Sequence, residues 1–405
     1  MIALMNRKEI NIPAVLFMIV IISSLFINTL YFTYFFPLIL AMIIRKIRKQ
    51  QMIKMGPADI IVLSLCAVEI LELFVTGYLP NTVKASNVIF CGATLWFVMR
   101  FYMKDQATIR AFVSIVSLLA GVLAFVTLIG YYRHKSQFAS VGMTDMTMVK
   151  QYFRPFGLAL NEWVAVLVCS LPFPFYMAVT NRKRIPLFML HLLSFTIVNV
   201  SIIVSFSRSG YLALLVFDFL AVVLSIGFWK KYFGSAILVA ALGLSASLGV
   251  LLPEKDSVRQ TGSMNGTTSQ KRSTEGRTRK WAEAIELFKQ SPVVGTGSGN
   301  YELASRLYGS KKYNSLSYRS TNTALQILVE KGLIGAIVYL LAFCTGCFCC
   351  FRSMRSRFIC VPFVAALFSL CLREMFFNSF FDNRIFGLFI IMFFIINQTV
   401  EYSED

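Results

Sequence analysis

The chain has 405 residues, of which 57% are apolar and 15% charged, with a mean hydropathy of +0.68. A soluble domain of this length does not carry that balance; a polytopic membrane protein does. A formal charge of +19 would suggest nucleic acid in a soluble protein, but here it first answers to the placement of Lys and Arg in cytoplasmic connections, and no nucleic-acid partner is expected.

Residues 1–9 are basic, and the apolar run after them reaches no small-residue cleavage site, so it reads as a first span. A span needs about 20 apolar residues. Residues 12–45 are too long for one and divide near Asn28. Further spans are predicted at 57–78, 85–103, 109–130, 157–180, 186–206, 210–228 and 233–252, then at 332–351, 357–372 and 384–399. The predicted fold is an all-α integral membrane protein of about twelve transmembrane helices, with one long periplasmic loop, partly helical, between spans nine and ten. Three regions follow: spans one to nine in 1–252, the loop with short helices in 253–331, and spans ten to twelve in 332–405.

Placing both termini in the cytoplasm puts 18 Lys and Arg in the inner connections and eight in the short outer ones. The long loop then lies outside. The 12 basic residues against six acidic ones in its residues 253–320 are not needed for orientation, because long segments translocate largely regardless of charge. Nine cysteines fall in or near predicted spans. Cys344, Cys347, Cys349 and Cys350 have a spacing like that of a metal site, but no hydrophilic knuckle surrounds them, and they read as small apolar residues of a span. No metal or cofactor is expected.

The segment SFSRSGYLALL sets Arg208 between two apolar runs, where a charge is costly. It is either an interfacial arginine reaching lipid phosphate or a phosphate ligand, since a guanidinium donates bidentate hydrogen bonds and keeps its charge. In the loop, GRTRKWAEAIELFKQSP is predicted to be a helix ending before Pro292, with Trp281, Ile285 and Phe288 as its apolar stripe. Arg277, four residues before Trp281, shares that face near the helix N-terminus, where an anion is favoured. The turn PVVGTGSGN follows; its glycines alone are a weak signal, lacking the context of a nucleotide fingerprint. Residues 321–331 read as a short interfacial helix, with Glu330 and Lys331 at headgroup level and Gly332 and Gly335 opening the next span for close packing.

In this order the motifs resemble the O-antigen ligase and O-antigen polymerase family. They are the FSRSG arginine, then Arg277, Trp281, Pro292, Gly295 and Gly297, then Thr321-Asn322 followed after nine residues by Gly332-Leu333-Ile334-Gly335. The segment RPFGLALNEW, with Asn161, is similar to the family's opening of a middle span. The resemblance implies metal-independent glycosyl transfer at the outer face of the bacterial inner membrane, in the service of surface polysaccharide. The donor would be an undecaprenyl-pyrophosphate-linked glycan, and the acceptor a second lipid-linked glycan or lipid A core. A chain-length regulator protein and membrane lipids are the other implied partners. It places the chemistry on Arg208, Arg277, Thr321 and Asn322, with Asn161, Trp281, Gly297, Arg319 and Glu330 toward the substrates.

One departure stands out. The family's histidine, thought to activate the acceptor hydroxyl, is Thr321 here, and a threonine is no general base near neutral pH. His134 in an outer loop is a candidate substitute, and Glu330, Glu374 and Asp382 are outer carboxylates. The threonine tilts the reading toward polymerase over ligase. A twelve-span lipid-glycan transporter is the rival class; it would show internal repeats and midplane charges, and no repeat is visible.

Overall fold

The computed structural model describes residues 55–103, 105–140, 152–261, 266–309, 319–355 and 357–398, with the backbone alone over 251–274. The two spans expected in 12–45 lie outside the described residues. Every regular element among those described is helical. In chain order they are α1 (Pro57–Val75), α2 (Leu79–Tyr102), α3 (Gln106–Ser140), α4 (Leu160–Ser170), α5 (Pro172–Thr180), α6 (Ile185–Val204) and α7 (Arg208–Leu224). Then come α8 (Gly234–Thr261), α9 (Gly266–Gln290), α10 (Tyr301–Ala304), α11 (Thr323–Met354), α12 (Cys360–Glu374) and α13 (Asn383–Gln398).

Six stretches are long and apolar enough to cross a membrane: 79–102, 106–140, 160–180, 185–204, 208–250 and 323–354. That is fewer than the twelve expected, for stated reasons. The first two spans are not described, and 208–250 counts once although a 3₁₀ turn at Ser225–Phe228 and a π turn at Trp229–Phe233 separate α7 from α8. Helix α1 carries Asp59, Glu69 and Glu72, while α12 and α13 have 15 and 16 residues. The break between α4 and α5 falls at Pro172, which has no N–H to continue the ladder but suits a first helical turn.

The core is aromatic. Phe175 of α5 meets Phe195 of α6 at 5.5 Å and Phe217 of α7 at 5.6 Å, both edge-on, an arrangement that adds to area burial. Helix α7 packs most extensively on α12, α3 and α8 on α6, and α13 on α2. Leu193, Leu215, Phe219, Leu340, Leu341 and Phe348 point outward, exposed, as a lipid-facing belt requires.

The loop is clamped to the helices at one end of this bundle. Thr296 N–H donates to Val329 O (2.9 Å), Gly297 N–H to Glu330 O (2.8 Å), and Leu333 N–H to Pro292 O (2.8 Å). These bonds pair 292–297 with 329–334, where α11 kinks at Gly332 (φ 60°). A Cβ on Gly295 (φ 72°) would stand 2.3 Å from Glu330 O, and one on Gly332 would stand 2.3 Å from Val293 O. Gly332 was expected to serve helix–helix packing; its observed role is backbone contact with the turn. Asn300 Nδ2 donates to Thr76 Oγ1 (2.8 Å) and Thr82 Oγ1 (3.1 Å), tying the same turn to the α1–α2 junction. At the opposite end Arg110 reaches Asn181 (3.5 Å), and Arg100 pairs with Asp59 (3.2 Å) beside a cavity that Arg352 also lines. Arg100, Arg110 and Arg352, which fall in connections expected to be inner, therefore lie at the end away from the loop.

Candidate active site at the loop end

Four chain segments meet where α4 and α11 begin and α12 ends. Arg373, fully buried, donates from Nη1 to Glu374 Oε1 and Ser379 Oγ, each at 2.8 Å, and from Nη2 to the Asn161 carbonyl. Arg319 pairs with Glu162, and both Arg319 and Arg373 lie over the Phe377 ring, at 5.8 and 5.1 Å. Arg384 Nη1 donates to Phe156 O (3.0 Å). Asn161 is thus at the predicted place, with its carbonyl committed and its side chain exposed.

Asn322 does a different job from the one expected. Its Oδ1 accepts from Leu325 N–H (3.1 Å), capping α11, and its Nδ2 donates to Met375 O (3.1 Å). An N-cap satisfies an orphan donor of the first turn, so Asn322 sets where α11 begins. Thr321 beside it is half-buried, and its hydroxyl has no partner among the described residues. Thr323 Oγ1 donates to Glu374 Oε2 (2.9 Å).

Arg208 is exposed at the first position of α7. Ser207 caps that helix, accepting from Gly210 N–H (3.4 Å). The residue before, Phe206, has φ 50°, and so does Phe156 in the segment leading to Asn161; these are the non-glycine left-handed residues among those described. Such a conformation costs about 1–3 kcal/mol in a bulky residue and persists where the surroundings impose it. Gly210 lets α7 close on α4: a Cβ there would lie 2.6 Å from Val164 Cγ1. Arg208 stands two residues before this contact, with no anionic partner among the described residues. Arg319, by contrast, is already neutralised by Glu162.

The loop helix packs on another stripe than expected. Glu283, Ala284 and Leu287 are buried with Phe288 at their edge, against Tyr301, Ala304 and Val329. Ile285 is exposed and Trp281 half-buried. The apolar spacing of Trp281, Ile285 and Phe288 was real, but small Ala284 permits closer approach and shifts the contact by part of a turn. Arg277, half-buried, precedes Ala284 by two turns on the same side. No described contact joins Arg277 or Trp281 to Arg208. Gly297 (φ 89°) is buried, and a Cβ there would meet Thr76 Oγ1 at 2.4 Å, so it serves the turn.

Glu330 and Lys331, expected at headgroup level, are buried instead. Lys331 pairs with Glu69 of α1 and donates to Ser298 Oγ (2.6 Å). Glu69 also accepts from Ser86 (2.8 Å), Ser298 (2.9 Å) and Tyr339 (3.1 Å). Glu330 Oε1 accepts from Gln326 Nε2 (2.9 Å), and Gln326 Oε1 accepts from Asn378. A cavity of about 120 Å³ touches Glu69, Ser298, Gly299, Gln326, Glu330, Lys331 and Phe381. Glu69 was missed by sequence reasoning. Its signal was two acids three residues apart in an apolar run, AVEILELF, on one helical face.

The other candidate bases are differently placed. His134 lies between Phe138 (4.8 Å) and Phe153 (5.8 Å), rings of an apolar cluster that also takes in Phe206. Asp382, whose carboxyl burial holds above its ordinary range, accepts from Arg384 N–H (2.9 Å). Among the described residues no group of three or more His, Cys, Asp and Glu has metal-site geometry.

The fold and this end of it define a polytopic helical membrane protein whose polar chemistry is gathered under one clamped loop. Residues 191–340 match the family model described as O-antigen ligase, which supports the resemblance to the O-antigen ligase and polymerase family. The match takes in Arg208, Arg277, Trp281, Gly297, Arg319, Thr321, Asn322 and Glu330, and leaves out Asn161, His134, Glu374 and Asp382. Members of that family are glycosyltransferase-like ligases and polymerases of surface glycans. No curated protein matches the chain significantly.

Proposed function

We propose that the protein transfers an undecaprenyl-pyrophosphate-linked glycan at the periplasmic face of the bacterial inner membrane, polymerising O-antigen or similar surface repeats. The observation that carries this reading is Arg208: a solvent-facing guanidinium on the first turn of α7, unpaired among the described residues, inside the family region. Guanidinium fork and helix N-terminus favour the same ligand, a phosphate. In glycosyl transfer from a pyrophosphate, the leaving group gathers negative charge as the anomeric bond breaks. A cation fixed in place beforehand stabilises that charge without reorganising. Arg277, on the loop helix, supplies a second cation on the side that α9 turns toward the bundle, and no metal is needed for the same purpose.

The ligase reading, in which lipid A core is the acceptor, is favoured by the match of residues 191–340 to an O-antigen ligase family model. The polymerase reading is favoured by Thr321, where the resemblance expects histidine. Deleting the gene in its own host separates them. A polymerase mutant should display single repeats on carrier or core; a ligase mutant should display bare core while long chains accumulate on the lipid carrier. Unchanged glycan with altered lipid transport would support the transporter class instead.

A further inference from the structure

We propose that Glu330, facing the cavity beneath the glycine turn, accepts the proton of the acceptor hydroxyl in place of the histidine that Thr321 replaces. The inference rests on the glycosyl-transfer reading above. In that step the acceptor O–H bond breaks and its oxygen bonds to the anomeric carbon of the donor. The anomeric carbon–phosphate oxygen bond breaks, and its electron pair leaves on the lipid pyrophosphate. The proton goes to a Glu330 carboxylate oxygen and from there to water.

The geometry selects Glu330 by its partners. Glu374 is saturated: it accepts from Arg373, Thr323, Ser379 N–H, Ser379 Oγ and Phe380 N–H, which leaves its oxygens no room for an acceptor hydroxyl. Glu162 is bound to Arg319, and Glu69 is held by Lys331, Ser86, Ser298 and Tyr339. Glu72 has a buried oxygen with no partner, but it does not touch the cavity. Glu330 does, and it has two hydrogen-bond donors, the Gln326 side-chain amide and the Gly299 backbone N–H, neither of them charged.

The surroundings are those of a proton site. Glu69 and Glu72 from α1, Lys331 and Tyr339 from α11, and Tyr301 near Glu283 all act on it or on one another. Three buried carboxylates, Glu69, Glu72 and Glu330, thus lie with one ammonium, that of Lys331. A void of about 120 Å³ holds several ordered waters, enough to admit a sugar hydroxyl or a water that bridges to it. Thr323, Asn378 and Gln326 link Glu374 to Glu330 in a chain of hydrogen bonds, which fixes the direction in which the carboxylate points.

The test uses the full-length protein in lipid nanodiscs, with polyprenyl-pyrophosphate-linked glycan from the host as donor and acceptor, and single-turnover transfer followed against pH. The wild type should show a rate that rises with pH as one acid ionises. Glu330→Gln should lose about 10²–10⁴-fold in rate together with that rise, while donor binding stays unchanged. Because the Gln variant removes a buried group, Glu330→Ala is measured beside it with sodium formate added. A folded, donor-binding Ala variant that formate accelerates supports a proton acceptor, which a merely structural role would not reproduce. Wild-type rate and pH dependence in Glu330→Gln, or no response to formate in Glu330→Ala, would overturn the assignment. Loss of the pH dependence in Asp382→Asn instead would move the role there. A wild-type protein that transfers nothing from this donor would defeat the glycosyl-transfer reading itself, separately from Glu330.

Discussion

At the scale of single residues, what distinguishes the loop-end arginines is their company. Arg319 and Arg373 are paired with Glu162 and Glu374 and serve to join segments, so replacing them disturbs assembly. Arg208 has no such partner among the described residues, and its replacement should be felt by the ligand. Neighbouring Thr321 and Asn322 divide in the same way. Asn322→Ala removes an N-cap and should cost about 1 kcal/mol of stability, read as a lower midpoint of thermal unfolding in detergent, with transfer per folded molecule nearly kept. A large loss of rate at unchanged stability would return Asn322 to the chemistry. Thr321→Ala should cost transfer about one hydrogen bond, roughly 1 kcal/mol, and Thr321→His should be tolerated. A collapse of activity in the alanine variant would mean that the hydroxyl does more than orient the acceptor.

At the scale of elements, the loop is held by backbone and by one buried ion pair. Gly295 and Gly332 face each other's carbonyl neighbours at distances no side chain permits, so Gly332→Ala combines positive-φ strain with a clash. It should cost at least about 2 kcal/mol and free α9 from α11, seen as faster proteolysis within 266–309. Lys331→Met alone leaves Glu69 buried without its cation and should cost about 3–5 kcal/mol, whereas the double variant Glu69→Gln, Lys331→Met should recover most of that. Equal instability in the single and double variants would show that the pair is not the unit.

Much of this level was legible in sequence. The boundaries of α1, α6, α7, α12 and α13 fall within a few residues of the expected spans, because long apolar runs and prolines mark them. The loop helix was recognised but its packed face was not, since the choice between two overlapping stripes depends on what lies opposite. The burial of Glu330 and Lys331 was hidden for the same reason. Their partner Glu69 is 262 residues away from Lys331, and no local pattern announces a long-range ion pair.

At the scale of the whole molecule, the bundle has two unlike ends. One collects Arg100, Arg110 and Arg352; the other carries the loop, the left-handed Phe156 and Phe206, and Arg208. With the first end in the cytoplasm, a reporter fused near Gly266 should be periplasmic, and fusions near Lys183 and Arg355 cytoplasmic. A cytoplasmic reporter at Gly266 would place the site on the wrong side for a donor elongated outside. The most direct measurement of the central claim, lipid-linked glycan transfer organised by Arg208, is complementation of the deletion strain. Surface glycan is resolved by gel and mass spectrometry, and the abundance of each variant in the membrane is checked. Wild type and Arg279→Lys should restore the native chain distribution, while Arg208→Lys, with its charge kept and its fork lost, should fail to. Equal restoration by Arg208→Lys and Arg279→Lys would contradict the assignment and leave only a diffuse basic surface.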